Sequence, residues 1–131
     1  MCSNSEVPVY KQVFKEFKEN HSAEYAEFHT IVENAVAPLM QAHTEFDTHS
    51  LGREVLPNVG EEIQRIIRNI WESKGEKTGR EVASVFGGIV VRIVNPGSNG
   101  WKREIIETDA KDKDGKSVKA SRYSWNSNVS T

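Results

Sequence analysis

Near residue 80 the hydrophobic period of this chain changes from helical spacing to strand-like runs, and it does not change back. Before that point apolar side chains recur every three or four positions, as Tyr10, Val13, Phe14 and Phe17 and again as Ile63, Ile66, Ile67 and Ile70. After it come extended apolar runs such as Ile89 to Val94, punctuated by glycines. Helices first and strands afterwards specify an α+β domain, because each layer has one apolar face to bury against the other. The expected architecture is two to three N-terminal helices packed on a curved antiparallel β-meander of three to four strands, cone-like or as a two-layer sandwich.

Local signals place the elements. A first helix is expected over Pro8 to Glu19, since proline is tolerated in a first turn. Ser22 can cap a second helix, in which Pro38 predicts a kink or an early end, leaving Gln41 to His49 as a bent turn or a loop. Leu51 to Val59 reads as irregular or as a short strand. Asn58 and Glu61 have capping-box spacing ahead of the isoleucine stripe, and Gly75 supplies a left-handed terminator. Beyond Arg80, Glu81 to Phe86 and Ile89 to Val94 read as strands on either side of a Gly87-Gly88 hairpin or bulge. Asn95-Pro96-Gly97 suits a type II turn, and Asp114-Gly115 turns a strand over Trp101 to Asp109 back into Val118 to Trp125. The whole of 1–131 reads as a single domain, with residues 1–7 and 126–131 as flexible ends.

Composition narrows the classes of function. Cys2 is the only cysteine, so no internal disulfide forms, and a cytoplasmic location is the expectation. No apolar run is long enough to span a bilayer. The net charge of −2 is unevenly spread: residues 1–60 carry nine acids and four bases, residues 61–100 five and six, and residues 101–131 five and seven. An excess of two bases in the last segment falls well short of a basic footprint, which argues against nucleic acid as a partner.

No motif reaches the strength of a catalytic, metal or cofactor signature. Asp109, Asp112, Asp114 and Gly115 have the flavour of a calcium loop, but with Gly115 at its sixth position Ala110 would stand first and Ser121 twelfth, where ligands are required. Gly75 to Gly79 lacks both the spacing and the preceding strand of a phosphate loop. His29 and Glu33 share a helix face, yet one such pair does not complete a metal site. Neither a cofactor nor a metal is therefore expected.

His43, Asp47 and His49 are the candidate catalytic residues, because a histidine beside a carboxylate at the mouth of a pocket can act as a general base. Trp101, Tyr123 and Trp125, with Lys102, Arg103, Lys119 and Arg122 on neighbouring strands, are the candidate binding residues. Strand alternation sends Trp101, Arg103 and Ile105 to one face and Lys102, Glu104 and Ile106 to the other. The function expected first is a non-enzymatic accessory or binding protein that acts through its sheet surface as a homodimer, engaging a second copy, a protein partner or a small apolar ligand. The alternative is a small-molecule binding protein or small enzyme with a pocket between helices and curved sheet.

Overall fold

The computed structural model describes residues 8–75, 80–97, 100–111 and 115–125. It is an α+β fold in which the helices precede most of the sheet. The elements are α1 (Val9–Asn20), α2 (Ser22–Gln41), β1 (Phe46–Asp47), α3 (Thr48–Val55), α4 (Glu61–Ser73), α5 (Glu81–Val94), β2 (Trp101–Lys111) and β3 (Ser117–Trp125). The sheet order is β1-β3-β2, with both pairs antiparallel.

Three helices follow their sequence signals. In α1 the side chains Val13, Phe14 and Phe17 are buried, and Pro8 stands at the N-cap. Gly75 takes φ +79° past the end of α4, whose Ile63, Ile67, Ile70 and Trp71 are buried. Pro38 lies within the last turn of α2 without ending it. The chain stops the helix one turn later, where His43 adopts the left-handed region at φ +52°. There the His43 N–H donates to the Met40 carbonyl (3.1 Å) and the Thr44 N–H to the Leu39 carbonyl (2.9 Å), which is a Schellman motif with histidine in the place glycine usually holds.

Four expectations need correcting. Glu81 to Val94 is one helix, not two strands, and Gly87-Gly88 lies inside it rather than at a hairpin. The buried residues Val82, Val85, Phe86, Ile89, Val90 and Val94 repeat at helical spacing, and the helix touches α1, α2, α3 and α4. Enclosure by four helices outweighs the roughly 1 kcal/mol per glycine that the interior glycines cost, and it overrides the preference of valine and isoleucine for strands. The change of period therefore falls after Asn95, which takes φ +51° and caps α5, so the turn read at Asn95 to Gly97 begins as a helix terminus. Thr48 to Val55 is helical and is followed by a 3₁₀ turn over Leu56–Asn58, where an irregular segment or strand was expected. The N-cap of α4 is Gly60, while the Asn58 amide donates instead to the Glu54 carbonyl.

A single core joins both layers. Phe46, Trp101 and Tyr123 from the sheet bury against Phe17, Phe28, Val32, Ile67, Phe86 and Ile89 from the helices. Strand β1 is two residues long because Asp47 caps α3, its carboxylate accepting from the Ser50 N–H at 2.8 Å. Where β1 ends, the Thr48 hydroxyl accepts the next β3 hydrogen bond, from the Ser121 N–H at 3.1 Å. Among the described residues no helix is long and apolar enough to cross a membrane.

Candidate functional site: a cationic cleft between helices and ribbon

The antiparallel pair β2–β3 joins the main hydrophobic core at one end, through Trp101 and Tyr123. Opposite residues in its register share a face, so Trp101 and Trp125, Arg103 and Tyr123, and Ile105 and Ser121 all point the same way. At one end Trp101 and Tyr123 fill the core. Farther along, the ribbon offers Ala120 and Ser121, and α5 opposes them with Ala83, Ser84, Gly87 and Gly88. A cleft of about 1050 Å³ opens there between α1, α5 and the ribbon.

Its walls are basic. Lys11, Lys15 and Lys18 come from successive turns of α1, Arg92 from α5 with Arg80 just before that helix, and Arg103 and Lys119 from the ribbon; Glu19 is the one acid among the described lining residues. Away from the cleft, Lys74 pairs with Glu16 at 2.9 Å, Arg65 with Glu62, and Arg122 with Glu104 and, at 3.8 Å, Glu45. Leaving Arg80 aside, none of the cleft cations pairs with a carboxylate among the described residues. The Arg103 guanidinium donates to the Ser121 hydroxyl (2.9 Å), and Arg92 donates to the Gly88 carbonyl (3.0 Å) while lying 4.0 Å over the Phe14 ring. The Phe14 ring in turn rests on Gly88, where a Cβ would come within 2.8 Å of it.

Apolar surface collects in the same place. Tyr10 and Ile105, exposed by 51% and 58%, are the exposed large hydrophobic side chains of the described structure, and they stand on opposite walls of the cleft. A ligand here meets positive charge and two uncovered apolar groups together. A smaller hollow of about 480 Å³ adjoins it, sharing Thr48, Arg80, Ala83 and Ala120, and adds His49, Arg53 and Lys111.

The residues singled out from the sequence are dispersed. His43 holds the left-handed cap of α2 and stacks on Trp125, with centroids 4.0 Å apart and planes at 5°. Asp47 caps α3, and His49, one helical turn from Arg53, lies 3.1 Å from its guanidinium and lines the smaller hollow. Of the aromatic trio, Trp101 is 4% exposed and Tyr123 fully buried, so both are interior; only Trp125 keeps part of its surface. Burial pushes the Tyr123 phenol up from its ordinary pKa, against the opposing pull of Arg103 and Ser121. Its hydroxyl, like the Trp71 indole N–H, completes no hydrogen bond among the described residues. Lys102 and Arg122 occupy the far face of the ribbon, where the Glu104 carboxylate, hydrogen-bonded to Arg122, is held below its usual range. No group of three or more His, Cys, Asp or Glu side chains that could hold a metal ion occurs among the described residues. The calcium-like run and the glycine-flanked loop fall largely on residues 112–114 and 76–79, outside those described.

The signal that sequence reasoning missed is the lysine series Lys11, Lys15 and Lys18, whose spacing puts all three on one helix face beside Tyr10 and Phe14. No protein-family model matches the chain, and neither a curated protein nor a solved structure shows significant similarity to it.

Proposed function

We propose that this chain is a non-enzymatic binding protein that captures a polyanionic ligand in the cleft between α1, α5 and the β2–β3 ribbon. One observation carries the reading: in a protein of net charge −2, Lys11, Lys15 and Lys18 of α1, Arg92 of α5, and Arg103 and Lys119 of the ribbon converge on one cleft without carboxylate partners among the described residues. Like charges gathered around one concavity repel one another, and an anion relieves that repulsion. With a single cysteine the protein suits a reducing compartment, which favours work in the cytoplasm.

Titration of the full chain with inorganic polyphosphate, followed by backbone amide shifts, tests this. Perturbations should centre on Lys11, Lys15, Arg103 and Lys119, weaken steeply with added salt, and vanish in Lys15→Glu/Lys119→Glu. Shifts centred on the Glu62 to Arg65 face, or no binding at low salt, would overturn the proposal.

A homodimer is the second reading, and the sheet order favours it: β2 spans 11 residues and its outer edge is unpaired within the described chain. Pairing with a second copy would close that edge. Light scattering should then give twice 14.8 kDa, and a mass of 14.8 kDa at all concentrations would remove it.

A further inference from the structure

We infer that the polyanion taken by this cleft is a single-stranded nucleic acid, an inference that rests on the anion-binding reading and names its ligand class. Three features select it. The first is repetition: Lys11, Lys15 and Lys18 rise along α1 at one-turn intervals of about 5–6 Å, which suits a ligand carrying charge at repeated positions along a chain. The second is the presence of two stacking surfaces beside that row. Tyr10 offers a half-exposed ring, and Arg92 offers a guanidinium held 4.0 Å over the Phe14 ring, itself seated on Gly88. Arg92 is exposed, so the other face of its guanidinium is open to a base. Aromatic rings and arginine planes are the groups on which unpaired bases stack, and a cationic groove with such platforms binds single strands with little regard to sequence.

The third feature is shape. Proteins read a duplex by inserting a helix or ribbon into its groove, whereas these cations line a concavity, the form in which proteins hold a flexible strand. Arg103 and Lys119 on the opposite wall would then hold the strand from its other side. Along the sequence the largest basic excess is the two of residues 101–131, which is why the charge balance argued against nucleic acid; the fold brings three lysines of the acidic segment 1–60 together with arginines and lysines from the other two.

The experiment is fluorescence anisotropy with a labelled oligothymidylate of about 12 nucleotides, within the usual span of single-strand sites. Competitors are the same length of duplex, inorganic polyphosphate of equal charge, and poly-glutamate. The oligothymidylate should bind more tightly than all three. Tyr10→Ala should weaken it by about 5- to 150-fold, the loss expected for one stacked base, while leaving polyphosphate affinity unchanged. Tyr10 is exposed, so an unchanged melting temperature verifies that the variant is folded. Polyphosphate binding as tightly as the oligonucleotide, with Tyr10→Ala lowering neither, would overturn the nucleic-acid inference and leave the anion site standing. Tighter binding of poly-glutamate would assign the cleft to an acidic polypeptide, and tighter binding of duplex would likewise overturn the inference. If none of the probes binds at low salt, the anion-binding reading falls with it.

Discussion

The two halves of the β2–β3 ribbon share one backbone geometry and do opposite things. In the half nearest Trp101, the large side chains Trp101, Tyr123 and Phe46 contact one another at centroid distances of 5.4–6.0 Å and join the helical core. In the half around Ile105, the ribbon and α5 face each other with alanine, serine and glycine, and the gap is rimmed by cations. The first half packs into the core while the second borders the cleft, so under the proposed function substitutions in the two should separate stability from binding.

The largest effect expected is at the packed end. Trp101→Ala should cost about 3–5 kcal/mol of unfolding free energy, whereas Ile105→Ala, on the same face but exposed, should change it by no more than about 0.5 kcal/mol. Denaturant unfolding of both variants checks this, and similar losses would mean the two halves are packed alike.

A smaller contrast lies within the floor of the cleft. A Cβ at Gly88 would strike the Phe14 ring, so Gly88→Ala should lose about 1–3 kcal/mol and displace Arg92, weakening anion binding. A Cβ at Gly87 meets nothing within 4 Å, so Gly87→Ala should gain about 1 kcal/mol from helix propensity. Thermal melts of this adjacent pair sharpen the comparison, since equal effects would show that Phe14 is not seated as described.

At the packed end, His43 divides backbone from side chain. His43→Ala keeps the left-handed φ and loses the stack on Trp125, which should cost about 0.5–1.5 kcal/mol. His43→Gly loses the same stack but relieves the backbone by roughly 1 kcal/mol, so it should be the more stable of the two variants. The reverse order would mean that the left-handed backbone at position 43 carries no strain, and a His43→Ala variant as stable as the parent would mean that the ring contributes nothing there.

The smallest effect is a pH dependence on the alkaline side. The raised pKa of Tyr123 means that the folded protein keeps a phenolic proton which the unfolded chain releases near pH 10. Its contribution is therefore full below pH 10 and is lost as the pH climbs beyond that value. Tyr123→Phe should flatten part of this fall, with Tyr25, also raised by burial, retaining the rest. Because the Tyr123 hydroxyl completes no hydrogen bond of good geometry among the described residues, the variant should lose little stability at pH 7. Unfolding midpoints at pH 7 and above pH 10 give both answers.

The amino-acid sequence by itself determined the α+β class, helices α1, α2 and α4, the left-handed Gly75 and the β2–β3 pairing with its facial alternation. These follow from local physics: helical and strand periods, proline and glycine geometry, and turn chemistry, all written within a few neighbouring residues. Only tertiary structure decided that Glu81 to Val94 is a helix, because its valines and glycines favour extended chain until four other helices enclose them. The same holds for the site. Lys15, Arg92 and Lys119 are separated by more than a hundred positions from first to last, and the charges of Lys15 and Lys119 are offset in the sequence by nearby acids. The fold brings them to one cleft between α1, α5 and the ribbon, and neither a period nor a motif records that meeting of three surfaces.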